Sequence, residues 1–257
     1  MKPALTLAVA ATALSLVACS SSAKAGGGGA ASPSKLSGAI TVDAASSLTE
    51  AFDALKSQFE TAHPGTTIKL NYGASSDLST QISQGAPVDV FASASEKNMQ
   101  SLGSQAVGAK DFVSNTLEIA VPPGNPAHIG SVTDLANPGV KVAVCDPAVP
   151  CGVVAQQVFT NAKVTVQPKA SLADVKSTLA AVESGEVDAG LVYVTDVRAA
   201  AGKVVGVPIP NDVNASTTYP IAVLKGSTNA VLARAFVAYV QSAAGRNVLT
   251  ADGFEQP

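Results

Sequence analysis

The sequence predicts an α/β protein of two lobes joined by two crossing segments, and three observations carry that expectation. Strand-like and helix-like patterns alternate from residue 39 onward, the alternation restarts after "NTLEIAVPPGNP", and a late strand, "YPIAVLKG", reads as a return crossing. At 257 residues, 47% hydrophobic and 14% charged, the chain has enough apolar material for a well-buried core.

The first lobe opens with "AITV", a strand, followed by the small residues Ala44 to Ser47 and then by Leu48, Phe52, Leu55 and Phe59 at helical spacing. "TAHPGT" ends that helix, and "TIKLNY" is the next strand. "SSDLSTQISQG" predicts a short helix opening at Ser75 or Ser76, and "VDVFAS" a buried strand after it. The second lobe carries the strand "KVAVC", the turn "DPAVPCG", the helix "VVAQQVFTNA", another helix over residues 172–182, and the strand "AGLVYV". A tail with Leu232, Phe236, Tyr239 and Val240 at helical spacing closes the chain. The expected crossings lie near Leu117 to Val121 and near Pro220 to Leu224, which assigns 39–118 with 222–257 to lobe I and 119–221 to lobe II. Ligands of such folds sit between the lobes, where strands end and helices begin.

Residues 1–18 read as an export signal: one lysine, then an apolar stretch too short for an ordinary membrane span. The ending Leu16-Val17-Ala18-Cys19 resembles the bacterial lipobox, which makes Cys19 the lipid-bearing first mature residue and 19–38 a flexible Ser/Gly-rich tether. Export implies an oxidising compartment, so a disulfide between Cys145 and Cys151 is favoured over free thiols. Two cysteines with the distant His63 and His128 are too few for a zinc site, and no metal cation is expected. A net charge of −3 without a basic run argues against nucleic acid as a partner.

Three times a strand is followed by small residues and a helix: "VDAASSLTEAF", "NYGASSDLSTQI" and "CDPAVPCGVVAQQ". Ser47 with Glu50 three residues later reads as a capping box, which would satisfy the first helical amides internally. The other reading leaves those amides to an anion. No Lys or Arg lies in residues 43–48, 72–78 or 145–154, so an anion there would meet neutral dipoles alone. Such a donor set suits a fully ionised oxyanion. Phosphate that still carries a proton needs an acceptor, for which Asp43 and Asp77 are candidates.

"VDAASSLTEAF", "YGASSDLSTQISQGAPVDVFASAS", "GLVYVTD" and "YPIAVLKG", in this order and spacing, resemble the molybdate-binding proteins of bacterial ABC importers from about Ala39 to Gly253. The resemblance implies a type II periplasmic-binding-protein fold and a molybdate or tungstate ligand, with no cofactor and no enzymatic activity. It implies that Ser47 and Ser75 each give hydroxyl and amide, Cys151 and Val175 their amides, and Tyr193 its hydroxyl. It also implies a monomer anchored at the outer face of the cell membrane through Cys19 and docking on the membrane subunits of an ABC importer. Asp43 and Ser95 depart from the family pattern, and a disulfide would stiffen the loop that carries Cys151. From the residues alone, Ser75 and Ser76 are interchangeable by a shift of one, and Tyr193 also fits a buried strand aromatic. The alternatives are a receptor for sulfate, phosphate or ferric ion, a structural or adhesive lipoprotein, and a secreted hydrolase. The last lacks a G-x-S-x-G motif and has only His63 and His128 as bases.

Overall fold

The computed structural model describes residues 35–257. The expected export signal, Cys19 and the tether as far as residue 34 lie outside the described residues. The strands are β1 (Gly38–Ala45), β2 (Thr66–Gly73), β3 (Val90–Ala92), β4 (Ala106–Val121), β5 (Val142–Cys145), β6 (Ala170–Leu172), β7 (Ala189–Tyr193), β8 (Val205–Pro208) and β9 (Ser216–Leu224). The helices are α1 (Thr49–Ala62), α2 (Ser75–Ser83), α3 (Glu96–Gln100), α4 (Pro150–Ala162), α5 (Val175–Glu183), α6 (Val194–Ala199), α7 (Ala230–Val240) and α8 (Ala243–Asp252).

The strands run in the order β2-β1-β3-β9-β4-β7-β5-β6, with β8 also on β4. Each end is a parallel unit with helical crossovers: β1 pairs with β2 and β3, and β5 with β6 and β7. The antiparallel pair β4 and β9 joins them. The chain changes halves inside β4: Thr116 is still opposite Ser216 of β9, and the next residue, Leu117, is opposite Tyr193 of β7. Two asparagines satisfy the backbone at this change of partner. Asn115 accepts from the Thr116 amide at 3.0 Å, and Asn214 donates to the Leu117 carbonyl at 2.8 Å. Tyr193 is thereby fixed at the junction.

Two main cores follow from this topology. One gathers Ile40, Leu48, Phe52, Leu55 and Phe59 with Leu232 and Phe236 of α7 and Phe254 just after α8; the other gathers Leu117, Ile119, Val144, Val158, Leu179 and Leu191. Each such side chain contributes about 1.5–3 kcal/mol by leaving water. Tyr219 and Ile221 pack in the first core, so the return of β9 to that half is complete before the expected crossing near Pro220 to Leu224. Tyr219 also links the halves, its ring 6.5 Å from Phe112, 5.4 Å from Phe254 and 6.2 Å from Tyr193.

The capping box expected from Ser47 and Glu50 is not formed. Ser46–Leu48 makes a 3-10 turn, α1 begins at Thr49, and neither start has a side-chain cap. The Ser47 hydroxyl instead meets the Tyr219 hydroxyl at 2.9 Å. Helix α4 begins at Pro150 rather than Val153, because proline in the first turn has no amide to leave unsatisfied. The helix expected over 172–182 begins at Val175, since Leu172 closes β6 and Asp174 caps the helix by accepting from the Ser177 amide at 2.8 Å.

Candidate functional site

Four helix starts from the two halves converge on one cavity. The 3-10 turn before α1 contributes Ser46 and Ser47, and the start of α2 contributes Ala74 and Ser75. The start of α4 contributes Pro150 and Cys151, and the start of α5 contributes Asp174 and Val175. Tyr193, at the end of β7, completes the wall. The walls bound about 220 Å³ of atom-free space, part of it open to solvent. The first amides of a helix have no intrahelical acceptor, so Ser47, Ser75, Cys151 and Val175 each bring a backbone donor toward this space. Neither the 3-10 turn, α2 nor α4 is capped by a side chain at its start. The fourth start, α5, is capped by Asp174, as α7 and α8 outside the wall are by Asn229 and Ser242.

The side chains favour donation into the cavity as well. The Ser75 hydroxyl accepts from the Ala94 amide at 2.9 Å, which leaves its proton to point elsewhere. If the Tyr219 hydroxyl donates to Ser47, the Ser47 proton is likewise directed away from the core. The Tyr193 hydroxyl is buried and has no hydrogen-bond partner among the described residues. Burial, with Tyr219 and Asp196 nearby, raises its pKa well above the usual tyrosine value, so it stays a proton donor. All five residues singled out in the sequence (Ser47, Ser75, Cys151, Val175 and Tyr193) line this cavity, whereas Ser76 does not.

Cys145 and Cys151 are joined by a disulfide with Cα atoms 5.7 Å apart, which ties the first turn of α4 to the end of β5. Gly152 shows how closely the two approach: a Cβ there would fall 1.9 Å from the Asp146 carbonyl oxygen. Gly152→Ala should therefore cost about 1–3 kcal/mol by forcing α4 off the loop. The check is a ligand-free melting temperature lower by about 2–10 °C; an unchanged one would show that the helix start yields freely.

No Lys or Arg is among the lining residues, and Asp174 is the one carboxylate. Asp43 is buried in β1 outside the wall, where Asn71 donates to it at 3.1 Å; burial raises its pKa and the Asn71 bond partly offsets this. Asp77 sits in the first turn of α2, also outside the wall. Ser95 gives its amide to the Ser93 hydroxyl at 3.1 Å.

Sequence reasoning missed what stands behind the wall. Tyr219, in "YPIAVLKG", supports Ser47 across 172 residues of chain. Asp196 accepts from the Tyr193 amide at 3.1 Å and faces the Lys176 ammonium at 3.1 Å, an ion pair rather than an aligned hydrogen bond. Burial pushes the Asp196 carboxyl up to about 6, with Lys176 opposing. The Lys176 ammonium is pulled down by burial, but Asp196 and Glu50 outweigh this and raise it overall. The "YVTDV" run signalled a helix start with an acidic first turn, but nothing local signalled Lys176.

The family described as bacterial extracellular solute-binding protein matches residues 40–255. The molybdate-binding protein ModA of Mycobacterium tuberculosis (strain ATCC 25618 / H37Rv) is 40% identical over 230 residues, 88% of each chain. The periplasmic molybdate-binding protein of Azotobacter vinelandii aligns in structure with a TM-score of 0.75 at 24% identity, over 85% of this chain and 99% of that one. The sulfate-binding protein SubI from Mycobacterium tuberculosis H37Rv aligns with a TM-score of 0.77 at 20% identity, over 85% and 86% of the two chains. These two structural likenesses speak for the fold and not for the ligand.

Proposed function

The chain belongs to the bacterial extracellular solute-binding protein family, and from that premise we propose that it captures molybdate, and tungstate with it, for delivery to an ABC importer. One observation carries the assignment: three uncapped helix starts and a buried, partnerless tyrosine hydroxyl surround a cavity without a cationic side chain. Neutral donors hold a dianion by summed dipoles. They also leave a ligand that needs an acceptor without one over most of the wall. In this reading Ser47 and Ser75 give hydroxyl and amide, Cys151 and Val175 their amides, and Tyr193 its hydroxyl. The protein acts as a receptor and not as an enzyme, and as a monomer.

The sequence divides the lobes as 39–118 with 222–257 and 119–221; this reading keeps that division except that Tyr219 and Ile221, which pack in the first core, go with lobe I. Closing them around the anion would form the surface read by the importer's membrane subunits. The family is extracellular, and no helix among the described residues is long and apolar enough to cross a membrane. Anchoring through Cys19 at the outer face of the membrane belongs to the same proposal. Asp174 favours phosphate as the second reading, since its carboxylate could accept the remaining proton of that anion.

The test is the melting temperature of the protein with molybdate, tungstate, sulfate and phosphate in turn. A ligand at about a hundred times its dissociation constant should add about 2.7 kcal/mol, a rise of about 5–10 °C. Molybdate and tungstate are expected to give it and sulfate is not. A rise with phosphate or sulfate instead transfers the site to that anion, and no rise with any of the four removes the assignment.

A further inference from the structure

We propose that the Glu50–Lys176 ion pair is a latch between the lobes and that Lys176 is a positioning residue for capture. The proposal rests on the oxyanion-receptor reading for its ligand but not for its geometry. Glu50 is in the first turn of α1, whose Phe52 and Leu55 belong to the first core; Lys176 is in the first turn of α5, whose Leu179 belongs to the second. The Lys176 ammonium donates to both Glu50 carboxylate oxygens, at 2.9 and 2.8 Å, and faces Asp196 Oδ1 at 3.1 Å. Asp196 is on α6, in the same half as α5. Separating the lobes therefore breaks the contact with Glu50 and leaves the contact with Asp196 intact.

On its α5–α6 side the latch is wired to two of the proposed ligand contacts. Lys176 follows Val175 directly in the chain, and the other oxygen of Asp196 accepts from the Tyr193 amide at 3.1 Å. None of Glu50, Lys176 and Asp196 lines the cavity, so the triad acts on the closed arrangement of the wall and not on the anion itself. Glu50 is 47% exposed and Lys176 25%, and a pair so placed is partly screened by water. That exposure suits a contact that must open at each delivery.

The experiment uses Glu50→Gln, which keeps the size of the side chain and leaves Lys176 paired with Asp196. Stopped-flow release of molybdate should be about three- to fivefold faster than from the wild type, with association not slowed and the salt dependence of release reduced. A merely structural role for Glu50 would not divide the two rates in this way. Small-angle scattering without ligand is the second arm, and it should show a larger radius of gyration for the variant. Release and scattering both equal to wild type would overturn the latch. If the wild type binds no molybdate, the receptor reading fails by itself and scattering alone decides: a larger variant supports the latch, an equal one overturns it.

Discussion

Tyr193→Phe should weaken molybdate binding about 10- to 100-fold and, in the same protein, raise the ligand-free melting temperature. The two effects have opposite signs because one hydroxyl causes both. Without ligand, that hydroxyl is buried with no partner among the described residues, and such a group costs about 1–3 kcal/mol. Phenylalanine fills the same volume against Tyr219 without the cost, so the ligand-free protein gains about 2–10 °C. With an anion in the cavity, the hydroxyl would make a hydrogen bond to a charged acceptor, worth about 1.5–3 kcal/mol, and the variant loses it. Calorimetric titration and scanning calorimetry on one sample check the pair. A variant that melts lower and binds equally well would make Tyr193 a plain core aromatic and would remove it from the ligand set.

The parts of this site that could be read in the sequence are those set by local pattern. Strand, small residues and helix start recur three times, and the structure brings these starts to one cavity because parallel units place their helix N-termini at the same edge of the sheet. The Ser47–Glu50 capping box was the wrong local reading for a tertiary reason: Tyr219 engages the serine and Lys176 engages the glutamate. Both partners lie more than a hundred residues away, at separations of 172 and 126, and no periodicity reports such a pairing. Short β6 and β8 were missed for a related reason, since three or four residues beside a longer strand need no pattern of their own. The identity of the five wall residues came from resemblance. Spacing by itself left Ser75 and Ser76 interchangeable, and only the fold turns Ser75 toward Ala94 and the cavity.

Lys176→Met should destabilise the ligand-free protein by about 3 kcal/mol at pH 8, near the lower end of what a broken buried ion pair costs, and by much less at pH 5. The cause is Asp196, whose side chain is fully buried and has Lys176 as its cationic neighbour. Its carboxyl is already raised to about 6 in the folded wild type by burial, which Lys176 partly counters. An unfolded aspartate titrates near pH 4, so the folded state holds the proton more tightly than the unfolded one. The resulting cost is therefore absent below about pH 4 and grows as the pH rises toward the folded value. Removing the ammonium raises the folded value further and extends the growth of the cost to higher pH. At pH 5 the carboxyl is mostly protonated in both folded proteins, and the difference between them is small. At pH 8 the wild type has stopped losing stability through this group and the variant has not. Melting curves of both proteins at pH 5 and pH 8 give the comparison, with an expected gap of about 6–12 °C at the higher pH. Adding Asp196→Asn to Lys176→Met should close most of it, because the amide has no proton to lose. A gap that is the same at both pH values would assign the loss to the packing of the lysine stem and clear Asp196 of the role given to it here.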